Sequence, residues 1–281
     1  MKLATTGHPF MPSEPLSAPE GCAGEKLALV IPTFREAGNI AALLGQVRSA
    51  LDSAGICYEV LVVDDDSRDG TAEAVDAVAR HDPRVRLLVR SDERGLSGAI
   101  LHGWRASDAS LLGVMDADLQ HPPALLPAML TAMLEGRDLV IASRYAEGGR
   151  LNAWNPLRRL FSAGAILATW PLQRGPARAK DPMSGFFLVR RRCLSGIEFQ
   201  KAGFKLLLEI LVRGRLRSVE EIPFAFGRRK AGQSKATWKI ALEYAVLLAR
   251  LYRIRSSRGG QLGGAPAESA QEAVWTAGLP R

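Results

Sequence analysis

The most informative stretch of this chain is LLGVMDADLQHPP, residues 111–123. Its first five residues are apolar and predict a buried strand, which is followed by two carboxylates, Asp116 and Asp118. Two prolines then suit the start of a helix, because a proline at the first helical position gives up a donor that has no partner there. In an open α/β sheet, ligands bind at the carboxyl ends of the strands. The stretch therefore predicts a strand, a ligand site and a helix, in that order.

The oxygen atoms after this strand predict a cation site. Mg²⁺ and Mn²⁺ prefer oxygen ligands and are commonly held by one or two carboxylates together with substrate phosphates. The candidate ligands are Asp116, Asp118 and Gln120. Because an isolated pair of aspartates in a turn is more often simply solvated, this hypothesis depends on the strand end and on the other motifs.

The first half of the chain alternates between short apolar runs and segments with helical spacing. Strands are predicted at residues 26–31, 58–63, 85–89, 111–115 and 139–142. Helices are predicted at residues 39–54, 71–80, 96–107 and 124–134. This alternation predicts the α/β class, with a doubly wound, mostly parallel sheet and helices on both faces. In the less regular second half, strands are predicted at residues 186–189 and 219–222 and helices at 204–213 and 238–252.

Four segments are expected along the chain. They are a disordered lead-in at residues 1–25, an α/β domain at 26–237, a basic amphipathic helix suited to a membrane surface at 238–255 and a disordered tail at 256–281. We find no N-terminal secretion signal, and no apolar stretch reaches the roughly 18–20 residues that span a bilayer. The three cysteines, an odd number without CxxC spacing, favour a reducing cytosol and argue against a zinc site.

The net charge of +8 is unevenly distributed. Residues 1–143 carry 12 basic and 20 acidic side chains, whereas residues 144–258 carry 24 and 7. A basic second half indicates an anionic partner, such as a phosphate or an acidic membrane face. Nucleic acid is a weaker interpretation, since the basic residues are not interleaved with aromatic ones and no known nucleic-acid module is recognisable.

Four other motifs contain candidate binding residues, although each alone is explained as well or better by an ordinary turn or loop. They are PTFRE at residues 32–36, VVDDDSRDGT at 62–71, DPMSGFF at 181–187 and RKAGQSK at 229–235. Acidic residues after a strand can accept hydrogen bonds from a ribose, and a basic loop around a glycine suits a phosphate. No dinucleotide fingerprint follows the first strand and no Walker lysine loop is present, which argues against a dehydrogenase and an ATPase.

In their order and spacing, six motifs together resemble one enzyme family. The motifs are PTFREAGNI (32–40), VVDDDSRDGT (62–71), DADLQHPP (116–123), SRY (143–145), DPMSGFF (181–187) and RKAGQSK (229–235). The chain resembles the polyprenol-phosphate glycosyltransferases of family 2, with the GT-A fold, and among them the dolichol-phosphate mannose synthases most. The resemblance covers roughly residues 26–240.

On the donor side, the resemblance implies a nucleotide-sugar site. Its implied residues are Pro32, Phe34, Glu36, Asp64, Asp65, Asp116 and Asp118. The family commonly has Tyr-Asn where this chain has Phe34-Arg35, which removes a hydroxyl group from the base contact. Asp116, Asp118 and Gln120 match the family's motif for Mg²⁺ or Mn²⁺ and the diphosphate.

On the acceptor side, the resemblance implies a phosphate site. Its implied residues are Arg144, Ser184, Arg229 and Lys235. Of these, Arg144, Arg229 and Lys235, together with Asp118, are the implied catalytic residues.

The implied activity is inverting transfer of a sugar, most simply mannose from GDP-mannose, to dolichyl or polyprenyl phosphate. A UDP-glucose or other UDP-sugar transferase is the alternative, and a non-catalytic module that binds nucleotide sugars or anionic lipids is a third. Many relatives carry C-terminal membrane helices that this chain lacks. The expected location is therefore the cytoplasmic face of a membrane, reached directly or through a separate anchor protein, with no nucleic acid as partner.

Overall fold

The computed structural model describes residues 24–92, 94–146, 164–173, 178–199, 205–225 and 238–259, and in the last segment the side chains of residues 244–254. Their strands are β1 (Lys26–Thr33), β2 (Cys57–Asp64), β3 (Val85–Val89), β4 (Leu111–Val114), β5 (Leu139–Ser143), β6 (Phe187–Arg190) and β7 (Val219–Pro223). Their helices are α1 (Ala37–Ala54), α2 (Thr71–Ala79), α3 (Leu96–Arg105), α4 (Leu126–Leu134), α5 (Leu206–Arg213) and α6 (Trp238–Gly259). Short 3-10 turns lie at Pro123–Leu125, Trp170–Leu172 and Arg191–Leu194.

The described strands form one sheet in the order β3-β2-β1-β4-β6-β5-β7. Strand β6 runs antiparallel to β4 and β5, and the other neighbouring pairs are parallel, which confirms the predicted mostly parallel sheet. The strand order reverses between β1 and β4, and such a switch point is where open α/β sheets bind ligands. The carboxyl ends of β1, β2, β4 and β5 lie at one edge, where the antiparallel β6 begins.

Strand β1 runs two residues beyond its predicted end, through Pro32 to Thr33. Alternate residues of β1 bond to β2 and to β4: Thr33 accepts from Asp65 N on the β2 side, and Val30 accepts from Met115 N on the β4 side. The nitrogen of Pro32 therefore faces β4, whose pairing with β1 ends at Val30. A proline is tolerated at this position because no ladder hydrogen bond is lost there.

Apolar side chains cover both faces of the sheet, as the sequence predicts. Helices α1, α2 and α4 pack on one face through buried residues such as Leu43, Val75 and Met129. Helices α3 and α5 pack on the other face through buried residues such as Trp104 and Ile210. The sheet thus lies between two apolar layers of helices. These layers leave uncovered the edge formed by the carboxyl ends of the parallel strands.

Helix α6 packs against the rest of the molecule by one face. The contacting apolar residues are Tyr244, Leu247, Leu248 and Leu251 on α6 and Leu172, Leu208 and Val212 opposite them. Two hydroxyl groups add contacts, since Tyr244 donates to the Ala165 carbonyl oxygen at 2.6 Å and Tyr252 to that of Ala168 at 2.9 Å. The helix continues to Gly259, past the boundary predicted at residue 255.

The structure bears on the cysteines and on the question of membrane-spanning helices. Cys57, at the start of β2, is disulfide-bonded, whereas Cys193 is a free thiol whose pKa is raised by burial to about 11. The bond at Cys57 was not predicted, because spacing along a chain does not reveal which thiols folding brings together. None of the helices in the described part of the chain combines the length and apolarity needed to cross a bilayer.

Candidate active site

Backbone strain is concentrated at the carboxyl edge of the sheet. The described residues other than glycine with positive φ are Arg35, Asp66, Arg68 and Leu119, with φ of 63°, 52°, 52° and 58°. They follow β1, β2 and β4. A left-handed conformation typically costs such residues about 1–3 kcal/mol, and it tends to occur at functional sites. This edge is therefore the candidate site.

The loops after β1 and β2 are tied together by Asp64, which is 1% exposed. One carboxylate oxygen accepts from Thr33 Oγ1 at 2.8 Å and from Ser67 Oγ at 2.5 Å, and the other from Ser67 N at 2.8 Å. Ser67 Oγ in turn accepts from Arg35 N at 2.8 Å. Protein donors thus engage both oxygens of Asp64, and these bonds fasten the loops after β1 and β2 to each other.

Asp65 holds a third loop in the same way. Its Oδ1 accepts from Arg90 Nε at 2.8 Å and its Oδ2 accepts from Gly95 N at 2.8 Å. Asp65 and the Arg90 side chain are both largely buried. The carboxylate therefore joins the end of β2 to the segment between β3 and α3.

The predicted nucleotide residues after β1 occupy different environments. Pro32 is buried within the sheet, and Glu36 accepts a hydrogen bond from Asn39 Nδ2 at 2.9 Å. The Phe34 ring is half-buried, with the guanidinium carbons of Arg35 and Arg94 at 5.3 and 4.8 Å from its centroid. Phe34 and its two cations thus form the part of this loop best suited to contact a base.

The carboxylates after β4 differ from those after β2. Asp116 accepts no hydrogen bond from the described residues, its side chain is 35% exposed, and His121 Nδ1 lies 3.7 Å from its Oδ2. Protein surrounds the rest of this side chain and excludes water from it. This desolvation raises the pKa of Asp116, although the interaction with His121 works to lower it. Asp118 is 9% exposed and accepts from Gln120 N at 3.1 Å. Asp116 therefore remains available to a cation.

The residues after β4 fit a divalent cation whose ligands are shared with a substrate. No group of three His, Cys, Asp or Glu side chains suited to a metal occurs within the described segments. Two carboxylates suffice for Mg²⁺ or Mn²⁺ when phosphate and water oxygens complete the shell. Asp116 supplies an oxygen that accepts no hydrogen bond from the part of the chain that the structure describes, which suits such a ligand.

Gly185 makes room for the Asp116 carboxylate and was not among the predicted site residues. A Cβ atom built on Gly185 would lie 2.2 Å from Asp116 Oδ2 and 2.7 Å from its Cγ. A larger residue here would force the carboxylate to move. The DPMSGFF motif contained this glycine, but the sequence offered no sign that it contacts Asp116.

Arg144, which follows β5, is held by Asp181. Arg144 Nε and Nη2 donate to the two Asp181 carboxylate oxygens at 2.8 and 2.7 Å, and Arg144 N donates at 3.0 Å. Burial works to lower the pKa of Arg144, but the Asp181 carboxylate outweighs it and raises that pKa. Ser184, implied as an acceptor ligand, donates to the Ala142 carbonyl oxygen at 2.7 Å, which fastens the turn to β5.

Lys205, just before α5, is a second cation that the sequence did not single out. It lines a cavity of about 70 Å³ together with Asp116 and Gly185. Burial, and next the charge of Arg144, lower its pKa, whereas the carboxylates of Asp116 and Asp181 raise it. The edge thus brings together carboxylate and cationic groups that lie far apart in the chain. Arg229 and Lys235 lie outside the described residues.

Comparisons with known proteins agree on a family. Residues 28–197 match the family model described as Glycosyl transferase family 2. The dolichol-phosphate mannosyltransferase of Pyrococcus furiosus is 39% identical over 234 residues, 83% of this chain and 65% of that protein. The chain thus spans less than two thirds of that relative's length. The dolichol-phosphate mannosyltransferase of Mycosarcoma maydis is 37% identical over 237 residues, 81% of this chain and 79% of that protein.

A solved structure shares the fold. The glucosyl-3-phosphoglycerate synthase of Mycobacterium tuberculosis, in complex with Mn²⁺, uridine-diphosphate-glucose and phosphoglyceric acid, has a TM-score of 0.62. The alignment covers 81% of this chain and 80% of that chain at 17% identity. At this identity the likeness establishes the architecture and leaves the substrates open.

Proposed function

The chain belongs to glycosyl transferase family 2, and on that premise we propose that it transfers mannose from GDP-mannose to dolichyl or polyprenyl phosphate. This membership confirms the family resemblance of the six motifs. One observation carries the proposal: Asp116, able to take a cation, shares a cavity with Lys205, and the charge of Arg144 acts on both. A diphosphate donor and a phosphate acceptor require this combination of charges.

On the donor side, the residues after β4 would contact the leaving group, the nucleoside diphosphate. Asp116 and Asp118 are the carboxylates that would hold Mg²⁺ or Mn²⁺, with Gln120 as a third candidate. When bound, such an ion supplies positive charge that favours departure of the nucleoside diphosphate. Phe34 and the loops fastened by Asp64 and Asp65 would hold the nucleoside.

The acceptor side needs cations rather than a general base. A lipid phosphate is already anionic at neutral pH, so its oxygen can attack the anomeric carbon directly. Arg144 and Lys205 would orient that phosphate, a positioning effect, and Arg229 and Lys235 are proposed to join them. The new bond links the anomeric carbon to the lipid phosphate while its bond to the diphosphate breaks, so a single displacement inverts the anomeric configuration.

A donor panel tests this function. The purified chain, Mg²⁺ or Mn²⁺ and a short polyprenyl phosphate are combined with GDP-mannose, UDP-glucose and other nucleotide sugars, and the lipid-linked product is measured. We expect product from GDP-mannose and loss of product with excess chelator. Turnover of a UDP-sugar alone would assign the alternative donor. Nucleotide-sugar binding without turnover would indicate a non-catalytic module.

We also propose that the chain contacts a membrane directly, with the catalytic edge on the cytoplasmic side. Exposed apolar side chains lie on α6 and on the segment it packs against: Leu167 (63% exposed), Trp170 (52%), Val246 (61%) and Tyr252 (40%). Apolar side chains exposed beside a basic helix suit an interfacial contact. A polyprenyl tail leaves a bilayer at a cost of about 0.8 kcal/mol per CH₂, so the enzyme must approach its acceptor there.

Liposome flotation tests this contact. We expect the full-length protein to float with anionic liposomes at low salt, and the Leu167→Ser/Trp170→Ser variant to float less. Leu134→Ser on α4, which removes a side chain of similar exposure (56%), is the matched control and should float normally. If the wild-type protein stays at the bottom, direct contact is wrong and a separate anchor protein is required.

A further inference from the structure

Arg144 is oriented by a carboxylate that no solvent reaches. Asp181 is 0% exposed, and its two oxygens receive two nearly parallel N–H bonds from the Arg144 guanidinium. A bidentate pair of this kind fixes the plane of the guanidinium as well as its distance. The position of Arg144 therefore depends on the position of the turn that carries Asp181.

That turn is held in place by Glu221 on β7. Glu221 Oε2 accepts from Lys180 N at 2.8 Å, and Oε1 accepts from Asp181 N at 2.9 Å. Glu221 pairs with Ile141 in the ladder between β7 and β5, and β5 leads directly into Arg144. One carboxylate thus spans the gap between an edge strand and the turn that carries the partner of Arg144.

The neighbouring Glu220 makes a different kind of contact. Arg137 Nε donates to Glu220 Oε2 at 2.8 Å, and both side chains are well exposed, at 45% and 38%. Exposed ion pairs of this kind contribute little to stability. Two adjacent glutamates on one strand therefore differ in role: Glu220 pairs with a surface arginine, and Glu221 binds two backbone N–H groups.

We infer that Glu221 is a positioning residue that sets Arg144 through Asp181 for the transfer reaction. The inference rests on the proposed function, in which Arg144 orients the acceptor phosphate. A carboxylate offers an acceptor to each of the two N–H groups. A glutamine offers one acceptor, and its NH₂ group would face the remaining N–H, donor against donor. Glu221→Gln therefore keeps the side-chain size and removes the anchor.

The experiment compares Glu221→Gln with Glu220→Gln in the full-length chain. We measure kcat and the KM values for nucleotide sugar and lipid phosphate, in the wild-type and in the Arg144→Lys background. Because a shift of about 1 Å in a positioning group can cost about 100-fold in rate, we expect Glu221→Gln to lower kcat about 10- to 100-fold. Glu220→Gln should stay within twofold.

Measurements in the Arg144→Lys background distinguish a positioning role of Glu221 from general structural support. In Arg144→Lys, which lacks the bidentate geometry, we expect Glu221→Gln to cost less than twofold. An equal penalty in both backgrounds, or a penalty matched by Glu220→Gln, would overturn the inference. Hydrogen exchange of the Arg144 Nε–H proton provides a readout without turnover: it should be slow in the wild type and in Glu220→Gln, and fast in Glu221→Gln. Equal exchange rates would refute positioning, whereas a folded but inactive wild type would refute only the proposed function.

Discussion

The acidic strand end after β2 and the one after β4 use their carboxylates in opposite ways. Asp64 and Asp65 each receive three hydrogen bonds or ion-pair contacts from protein donors. Asp116 receives none within hydrogen-bond distance from the described residues, and His121 Nδ1 lies 3.7 Å from its Oδ2. A carboxylate that accepts several protein hydrogen bonds helps to shape a loop, whereas one that accepts none from the described residues has its lone pairs to offer to a ligand. We therefore expect the strand end after β2 to shape the candidate site and the one after β4 to contact a ligand.

The largest expected effect is on turnover when Asp116 is neutralised. Charge stabilisation by a metal is worth several kcal/mol, so Asp116→Asn should lower kcat by about three orders of magnitude. Because burial raises the pKa of Asp116, its ionised form is unfavourable in the folded state. The free energy of unfolding of the metal-free protein should therefore not decrease in denaturant titrations. Asp76→Asn, an exposed site on α2, is the control, and near-normal turnover in Asp116→Asn would contradict the metal assignment.

A smaller loss is expected when the space beneath Asp116 is filled. The Cβ of Gly185→Ala would meet Asp116 Oδ2 at 2.2 Å and must displace it. We expect turnover to fall about 10- to 100-fold, as misplacement of a reacting group by about 1 Å does, and the metal concentration for half-maximal activity to rise. Gly45→Ala on α1, where nothing lies within 4 Å of the added Cβ, should retain full activity. Equal activities in the two variants would remove Asp116 from the site.

In contrast to Asp116→Asn, the Asp64→Asn variant should lose more stability than activity. An asparagine cannot accept all three hydrogen bonds that Asp64 receives, and leaving a buried donor unpaired costs about 1–3 kcal/mol. We expect thermal denaturation to occur several degrees lower and kcat at saturating substrate to fall less than tenfold. If kcat collapses while the melting temperature is unchanged, Asp64 contacts the substrate and the comparison between the strand ends is wrong.

The smallest expected effect is on the pH dependence of stability when Asp69 is replaced. Asp69 lies in the same motif as Asp64, at residues 62–71. Although desolvation opposes it, hydrogen bonds from the Thr71 side chain and backbone hold the pKa of Asp69 below its ordinary 3.8. A depressed folded-state pKa contributes stability above pH 3.8 that is lost as the pH falls through the folded value. Asp69→Asn should therefore destabilise slightly at pH 7, with a difference that shrinks in denaturant titrations below pH 3.8. A difference that grows on acidification would contradict the assignment.

Local pattern predicts most of the framework of this fold. The alternation of strands and helices depends on short-range periodicity, so seven strands and the helices on both faces were predictable, with ends shifted by a few residues. The end of β1 was missed because Pro32 reads as a strand terminator, although its nitrogen faces the side where β4 has already ended. The antiparallel direction of β6 depends on the path of the chain. It could not be predicted from a four-residue apolar run.

The candidate site was predicted in part. The DAD run and Arg144 were identified from their motifs, and Asp181 was included only as part of the DPMSGFF motif. Gly185 and Lys205 were missed as site residues because neither has a distinctive neighbourhood in the sequence. Ser184 was assigned to the acceptor, and the structure adds that its hydroxyl group holds the turn against Ala142.

The fold class, the family, the strand ends that form the candidate site and the acidic and basic residue types found there could all be predicted from the sequence. Which of these groups have protein partners became apparent only from the folded structure. Thr33 and Asp64 are 31 residues apart, Arg144 and Asp181 are 37 apart, and Asp181 and Glu221 are 40 apart. The availability of a carboxylate depends on donors supplied by distant segments. Periodicity and motifs report only on near neighbours, so that property emerges only when the strands are assembled.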